Sequence, residues 1–334
     1  MHTNKNVLVD AVITWVDSED VVWQNNINKY LEKKIDWNNE NTINAYHSIN
    51  EIEITIISII KNAKFIKNIY LVTDNQQPKD FDKLQILAKK SKVDLIVIDH
   101  KVIFKGYEHY LPTFNAITIE TLIFRIPNLN EHFLFFNDDF FLMRETKIED
   151  FFIGNATVIR GKWDSYYEDK PIRKLALRIK SIFKKVDYNK VGYKLSQQNT
   201  AKLLELKKYL RIDHTPVAMK KSSIEAYFKL NPKSLDHNIK HRFRNNTQFV
   251  IMSLSNHLEI KKSAFILKNN FNLSYYQSYN YLKIIFKLFW FDIDKTKKFM
   301  CFQMLVLANE KTRLYILNWI DKKLGTTFNE IIKK

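Results

Sequence analysis

One stretch of the chain, residues 132–141, reads His132-Phe133-Leu134-Phe135-Phe136-Asn137-Asp138-Asp139-Phe140-Phe141. Its first five residues form the short apolar run that is typical of a strand buried on both faces. Three polar residues follow, and the apolar residues resume at once. Two adjacent carboxylates among phenylalanines are costly to bury unless a cation or strong hydrogen-bond donors compensate. The pattern therefore predicts a buried strand that ends in a metal-binding pair, Asp138 and Asp139; an exposed turn is the alternative.

Three other segments show the same strand character, and helical patterns separate them. The predicted strands are Val7–Val16, Asn68–Thr73, Val93–Asp99 and His132–Phe136. The predicted helices are Glu51–Asn62, Lys79–Lys90 and Thr113–Phe124, the last opened by Pro112 and ended by Pro127. Alternating strands and helices predict an α/β fold with a mostly parallel, Rossmann-like sheet.

Each predicted strand is followed by a carboxylate, at Asp17, Asp74, Asp99 and Asp138. In open α/β sheets, ligands bind outside the carboxyl ends of the strands. Aspartate is also common after strands as a turn former or helix cap, which would explain any one of these residues. Four together favour a binding site along one edge of the sheet.

The composition restricts the class of protein. The chain has 334 residues, 46% of them hydrophobic, which is enough for a large core. Its single cysteine, Cys301, excludes an internal disulfide and a thiolate metal cage, as expected in a reducing cytoplasm. We expect no signal peptide and no transmembrane helix, because no long uncharged apolar stretch occurs. The net charge of +17 fits nucleic acid, an anionic membrane surface or a polyanionic substrate.

Three regions of the chain differ in composition and in their predicted structure. Residues 1–160 form the predicted α/β core, residues 161–213 a basic, tyrosine-rich helical insertion or lid, and residues 214–334 a helical region that includes Val217–Leu230. Within the last region, Tyr281–Trp290 mixes apolar and basic residues. It reads either as an amphipathic helix at a membrane surface or as a core helix with solvated lysines.

Several blocks of the sequence resemble the Stealth family of capsular polysaccharide phosphotransferases. Residues 10–17 resemble the first conserved block of that family. The second block is matched by residues 69–76, 98–100, 111–115, 119–120, 125–127 and 131–139, the third by His214-Thr215-Pro216 with residues 242–244, and the fourth faintly by residues 298–303. The sequence departs from the family pattern at four places: Ser18 replaces a glycine, Ile57 an arginine, Phe124 a histidine, and the dipeptide Gln303-Met304 an Asn-Asp pair.

The resemblance implies a transferase of phosphorus-containing groups with a GT-A-like sheet. Such an enzyme transfers a sugar-1-phosphate from a UDP-sugar to a hydroxyl of a growing capsular polysaccharide, and it releases UMP. It implies Mg²⁺ or Mn²⁺ as the cofactor, with Asp138 and Asp139 as ligands. The expected location is the cytoplasm, with peripheral contact at the anionic inner face of the plasma membrane. The oligomeric state stays open.

The resemblance also assigns roles to individual residues. His214 is the candidate general base, since imidazole titrates near neutral pH. Arg242 and Arg244 would clamp the phosphates, and Asp139 would act with them in catalysis. The expected substrate contacts are Thr14, Trp15, Asp17, Asp74, Asn75, Gln76, His100, Asn115, Glu120, Arg125 and Asn137.

Two other functions compete. A metal-dependent glycosyltransferase would use Asp138 and Asp139 as its Asp-rich motif and release UDP. A basic polyanion-binding protein would account for the charge, with tyrosines such as Tyr166 and Tyr188 interleaved among the lysines. That second function leaves the acidic strand ends unexplained, because acids in a nucleic-acid groove repel phosphate. We therefore expect no nucleic-acid partner.

Overall fold

The computed structural model describes residues 7–39, 48–49, 51–170 and 192–325. The central part of the predicted basic insertion, including Tyr188, lies outside these residues. The described strands are β1 Val9–Thr14, β2 Ile66–Thr73, β3 Asp94–Asp99, β4 His132–Asn137, β5 Phe140–Leu142, β6 Phe152–Ile153, β7 Ala156–Arg160, β8 Lys162–Asp164, β9 Tyr209–Arg211, β10 Val217–Lys220, β11 Phe265–Lys268, β12 Leu273–Tyr276 and β13 Phe299–Phe302.

The described helices are α1 Val21–Lys29, α2 Glu51–Asn62, α3 Phe81–Lys90, α4 His100–Ile103, α5 Ala116–Thr121, α6 Tyr193–Leu203, α7 Lys221–Leu230, α8 Pro232–Ile239, α9 Ile251–Lys261, α10 Tyr281–Ile293 and α11 Glu310–Leu324. Short 3₁₀ turns supplement them, among them Ile123–Arg125. No helix in the described part of the chain is long and apolar enough to cross a membrane.

The central sheet has the strand order β10-β4-β1-β2-β3. Strands β4, β1, β2 and β3 run parallel, and β10 is antiparallel at one edge. The register pairs Thr14 with Asn137 on one side and with Val72 on the other, so the carboxyl ends of the strands align. This confirms the predicted α/β fold with a mostly parallel sheet.

Both faces of this sheet are covered by apolar side chains, which explains why apolar and polar residues alternate little along its strands. Leu134 and Phe136 of β4 join the core cluster that contains α2. Phe133 and Phe135 point into the second cluster, on the other face. Helix α2 is itself almost entirely buried, since it packs against β5 and α11 as well as the sheet. Its bounds match the prediction.

The prediction of a helix over Val217–Leu230 is wrong at its start. Val217–Lys220 is a strand whose Val217 and Ala218 pair with Phe135 and Leu134, and the helix begins only at Lys221. The reason is tertiary: β4 offers an open hydrogen-bonding edge, and a four-residue apolar run can satisfy it. The C-terminal region is also less helical than predicted, because β11, β12 and β13 form small sheets with β7 and β5.

Two other segments differ from the prediction in detail. The predicted helix Thr113–Phe124 is shorter, because the Asn115 side chain accepts a hydrogen bond from the Ile117 amide and caps a helix that ends at Thr121. The insertion is not purely helical at its base. There, β8 and β9 pair antiparallel beside α6.

Candidate active site

A cavity of about 470 Å³ opens at the carboxyl ends of β1 and β4. Seven of the predicted site residues line it: Thr14, Trp15, His100, Glu120, Asn137, Asp138 and Arg244. Its aromatic wall comes from Trp23, Phe114 and Phe243, which the sequence analysis did not single out. Ring centroids 5.7 Å apart link Phe114 to each of the other two rings. The cavity thus combines charged groups at the sheet edge with an aromatic wall.

Asp138 and Asp139 form the short connection between β4 and β5. The Asp138 carbonyl accepts a hydrogen bond from Thr55 Oγ1 of α2, at 2.5 Å. The Asp139 Oδ2 atom accepts one from the Cys301 thiol of β13, at 3.2 Å. Its other oxygen, Oδ1, is buried and meets no hydrogen-bond donor among the described residues. One carboxylate oxygen therefore has no hydrogen-bond partner within the described part of the chain.

Burial raises the pKa of both carboxyls. The pKa of Asp139 rises to about 6, and that of Asp138 rises well above its ordinary value because the Asp139 charge adds to burial. Glu51 contributes further repulsion at both groups, and burial raises its own pKa too. Three carboxyl groups thus lie close together, and none of them forms an ion pair among the described residues; Glu51 accepts hydrogen bonds from the neutral donors Ser48 Oγ and the Ile49 amide.

These features fit a divalent metal ion. A bound cation would satisfy the unpartnered Asp139 oxygen and lower the cost of the buried charges. Within the described residues, no group of three or more His, Cys, Asp or Glu side chains is arranged to hold a metal. A magnesium ion commonly takes one or two protein carboxylates and completes its shell with water and substrate phosphates. Asp138 and Asp139 suit such a site.

Glu120 and Arg244 face the same cavity from other elements. Glu120 lies on α5, and Arg244 lies in the loop after α8. Burial raises the pKa of Glu120 to about 7, although the positive charge of Arg244 acts in the opposite direction. A carboxyl group with a pKa near neutrality can either accept or donate a proton at physiological pH.

His214 lies beside the cavity and does not line it. Its ring stacks on Tyr275 at a centroid distance of 4.7 Å and meets the edge of Phe140 at 6.0 Å. Burial lowers its pKa, and the nearby Asp213 partly offsets that effect. Burial raises the pKa of Tyr275, and the nearby Cys301 and Asp139 raise it further. The imidazole therefore packs between Tyr275 and Phe140, the residue that follows the carboxylate pair.

Arg242 and Asn115 hold the wall of the cavity. The Arg242 Nε donates to the Pro112 carbonyl at 2.8 Å, and its guanidinium lies 4.0 Å from the centre of the Tyr30 ring. The buried Asn115 amide donates to His241 O at 3.0 Å and to Gln248 Oε1 at 2.9 Å. Both side chains have internal partners, and neither lines the cavity.

The strand ends of β1 and β2 are tied together by Gln76. Its Oε1 accepts from the Asp17 amide at 2.8 Å, and its Nε2 donates to the Asp17 carbonyl at 3.0 Å. Asp74 and Asn75 line a second cavity of about 600 Å³ next to the first. Arg125 lies apart, since its guanidinium donates to the carbonyls of Ile103 and Lys105.

His100 is an unusual lining residue. Its side chain is buried, and neither ring nitrogen has a hydrogen-bond partner among the described residues. Its Nδ1 lies 3.9 Å from the Asp74 carboxylate. Burial lowers the pKa of His100 to about 4, so the ring is neutral at physiological pH. The neutral ring offers one donor and one acceptor beside the first cavity.

Sequence reasoning missed several residues that hold the site. Thr55 and Glu51 belong to a helix that the apolar periodicity marked only as core, and Cys301 entered only as the single cysteine that excludes a disulfide. The signal that the sequence offered for Thr55 and Glu51 was their polarity within a largely apolar helix. No local signal connected Cys301 to Asp139.

Comparison with known proteins agrees with the sequence blocks. Residues 45–159 match the family described as Stealth protein CR2, conserved region 2. The chain is 34% identical over 160 residues to capsular polysaccharide phosphotransferase cps1A of Actinobacillus pleuropneumoniae, covering 46% of this chain and 41% of the relative. It is 30% identical over 246 residues to capsular polysaccharide phosphotransferase LcbA of Neisseria meningitidis, covering 71% of this chain and 60% of the relative. The chain thus spans less than two thirds of either relative.

Among solved structures, the bifunctional glycosyltransferase WbbM in its apo form gives a TM-score of 0.48 at 13% identity, covering 100% of this chain and 52% of that one. The matched region contains α2, β2, β3 and β4, together with the cavity-lining residues His100, Glu120, Asn137 and Asp138. With the two relatives, this match shows that residues 45–159 carry conserved region 2 of the Stealth family.

Proposed function

We propose that this chain transfers a sugar-1-phosphate from a UDP-sugar to a hydroxyl of a capsule-type polysaccharide. The observation that carries the proposal is the convergence of Asp138, Glu120 and Arg244 on one cavity at the carboxyl edge of the sheet. The names of the relatives, capsular polysaccharide phosphotransferases, support the same chemistry.

In the proposed reaction, an acceptor hydroxyl oxygen forms a bond to the β-phosphorus of the UDP-sugar. The bond between that phosphorus and the bridging oxygen of the pyrophosphate breaks, and UMP leaves with the bridging oxygen. The hydroxyl proton passes to a base of the protein. The product is a phosphodiester between the donor sugar and the polymer.

Each part of the cavity has a role in this step. Arg244 would neutralise charge on the phosphoryl oxygens, as a guanidinium does well because it can donate two parallel hydrogen bonds. Asp138 and Asp139 would hold Mg²⁺ or Mn²⁺, which supplies further charge neutralisation on the phosphates. Thr14, at the end of β1, and Trp15, which follows it, would contact the nucleotide. The aromatic wall offers surfaces on which the base of the nucleotide can stack.

Two side chains can accept the proton. His214 is the proposed general base, as the family resemblance implies, and its ring contacts Phe140, next to Asp139 in the chain. Glu120 is the second candidate, because it lines the cavity directly and its pKa is about 7. The two differ in charge when they are ready to accept a proton: the histidine is neutral and the glutamate is an anion.

A metal-dependent glycosyltransferase is the competing function, since a carboxylate pair at a strand end serves that chemistry as well. The nucleotide that is released separates the two functions. A phosphotransferase produces UMP, whereas a glycosyltransferase produces UDP. The location we propose, the cytoplasm with peripheral contact at the inner membrane face, suits either enzyme.

The test uses the purified chain with UDP-GlcNAc and other UDP-sugars, Mg²⁺, and capsule oligosaccharides as acceptors. Chromatography identifies the released nucleotide, and mass spectrometry identifies the linkage. We expect UMP and a phosphodiester-linked product. Asp138→Asn should abolish turnover, while Asp94→Asn, at an exposed carboxylate that begins β3, should leave it unchanged. UDP as the product would replace the proposal with the glycosyltransferase function.

A further inference from the structure

Helix α10, Tyr281–Ile293, exposes a stripe of large apolar side chains. Leu282 is 74% exposed, Phe286 61%, Phe289 56%, Trp290 47% and Ile293 50%. Their spacing of three and four residues places them on one side of the helix. Scattered single hydrophobic residues are ordinary on a protein surface, but five on one helix form a contiguous patch that marks an interaction site.

The exposed stripe is not the side that attaches the helix to the protein. Ile284, Leu288 and Phe291 are buried and belong to the core cluster that contains α2. The helix is therefore anchored through a second apolar face and presents the first one outward. Aromatic contacts within the stripe hold its shape, since the ring of Trp290 meets Phe286 at 5.8 Å and Phe289 at 6.2 Å between centroids.

Positive charge accompanies the stripe. Lys283 and Lys287 alternate with its apolar residues along the helix, and both are exposed. Burial lowers the pKa of Lys287, and the charges of Lys297 and Lys283 lower it further, so the three ammonium groups are close together. Phe, Leu and Trp side chains next to lysines are the composition of helices that lie in the plane of a membrane interface.

Neither Lys283 nor Lys287 forms an ion pair among the described residues, although Lys287 Nζ donates to the Tyr275 carbonyl at 3.1 Å. The acidic residues nearby have other partners. Asp292 forms an ion pair with Lys323 and accepts a hydrogen bond from the Trp319 indole at 3.1 Å, both on α11. Asp294 accepts from the Thr296 hydroxyl at 2.6 Å and from its amide at 3.0 Å. These carboxylates are engaged within the protein.

We propose that the exposed stripe of α10 docks on an anionic lipid surface. Phe286, Phe289 and Trp290 would enter the region of the headgroups, and Lys283 and Lys287 would meet lipid phosphates. A second copy of this chain fits the stripe less well, because a two-fold contact between identical faces would bring lysines close to lysines. The net charge of +17 favours the same anionic partner.

The test is co-sedimentation of the whole chain with vesicles, without nucleotide or acceptor. One set of vesicles contains phosphatidylcholine alone, and the other contains phosphatidylcholine with phosphatidylglycerol. We expect binding to the anionic vesicles only, and weaker binding at high salt. The double substitution Phe286→Ser with Trp290→Ser should lower vesicle affinity about tenfold or more, because it removes two large apolar side chains.

A matched control is Leu230→Ser, which alters an apolar side chain that is 81% exposed at the end of α7. It should bind vesicles like the unchanged protein. Equal binding by the double variant would overturn the proposal. The proposal would also be overturned if the unchanged protein does not bind vesicles and instead forms a concentration-dependent dimer that the double substitution abolishes. The stripe would then be a protein interface. Since no substrate is present, this result is independent of the proposed reaction.

Discussion

The thiol of Cys301 donates a hydrogen bond to Asp139, with 3.2 Å between its sulfur and the carboxylate Oδ2. This contact joins β13, near the end of the described chain, to the carboxylate pair that follows β4. It also favours the ionised form of Asp139, whose pKa burial otherwise raises. The C-terminal region thus contributes directly to the electrostatics of the candidate site.

The same contact predicts that Cys301 is chemically inert in the folded protein. Burial and the neighbouring Asp139 charge raise the pKa of its thiol well above the ordinary value, and only a thiolate reacts readily. We expect no reaction with Ellman's reagent under native conditions and one thiol per chain in denaturant. Rapid native labelling would show that β13 does not seal this side of the site.

Glu120→Gln tests the carboxylate on α5. If Glu120 is the base, turnover of the unchanged protein rises as pH increases through about 7, the pKa of this group, and the variant loses that rise. The same group affects stability with a definite sign. Because its pKa is raised from 4.5, the folded state holds the proton longer, and its contribution to stability falls as pH increases from about 4.5 to about 7.

Urea unfolding at several pH values measures that contribution separately from turnover. The stability of Glu120→Gln relative to the unchanged protein should improve across this window. If the two proteins show the same pH dependence of both turnover and unfolding, Glu120 is neither the base nor a strongly perturbed group.

His214→Phe tests the second candidate base while preserving the ring contacts. Phenylalanine can stack on Tyr275 as the imidazole does, but it cannot accept a proton. We expect turnover to fall by roughly 10²–10⁴-fold with little change in Tm, which is the usual contribution of a positioned acid or base. His109→Gln alters an exposed histidine and serves as the control. Retained activity in His214→Phe would assign proton removal to another group.

His257 predicts a loss of stability in acid. Its Nδ1 lies 2.7 Å from the Ser253 carbonyl and its Nε2 accepts from the Leu210 amide at 3.2 Å, so this buried ring is held neutral. Its pKa is lowered from 6.5 to about 4, and that of His100 is lowered to a similar value. A group of this kind stabilises the fold above pH 6.5 and loses that effect as pH falls toward 4.

Each such histidine contributes up to about 3 kcal/mol of this pH dependence, from roughly 1.4 kcal/mol per pH unit. His257→Gln should be less stable than the unchanged protein at neutral pH and should lose less of its stability on acidification. Urea unfolding at neutral and acidic pH measures both effects. An unchanged acid dependence in the variant would show that His257 does not remain neutral in the folded protein.

The sequence predicted the parallel part of the fold well for a physical reason. Strands such as β4 are buried on both faces, so their apolar character is continuous and does not depend on distant contacts. Strand β10 could not be predicted in the same way, because Val217–Lys220 becomes a strand only through pairing with β4, more than eighty residues earlier. Its local pattern is that of the helix which follows.

The candidate site was likewise predictable from the sequence only in part. Convergence of Thr14, Asn137 and Asp138 followed from the rule that parallel strands end at one edge. The sequence did not distinguish Arg242 from Arg244, since both lie in one basic run. The structure places the first on Tyr30 and the second in the cavity, a difference that depends on the packing of an aromatic cluster from distant segments.

The antiparallel position of β10 has a practical consequence for protein production. The family region at residues 45–159 contains β4 but not the strand that covers its outer edge. A fragment cut after residue 159 would expose a row of unpaired backbone groups beside phenylalanines, which is a template for aggregation. During synthesis on the ribosome, this edge likewise stays open until residue 220 has emerged. We therefore expect that the conserved region is not a folding unit by itself and that a soluble fragment must extend through β10.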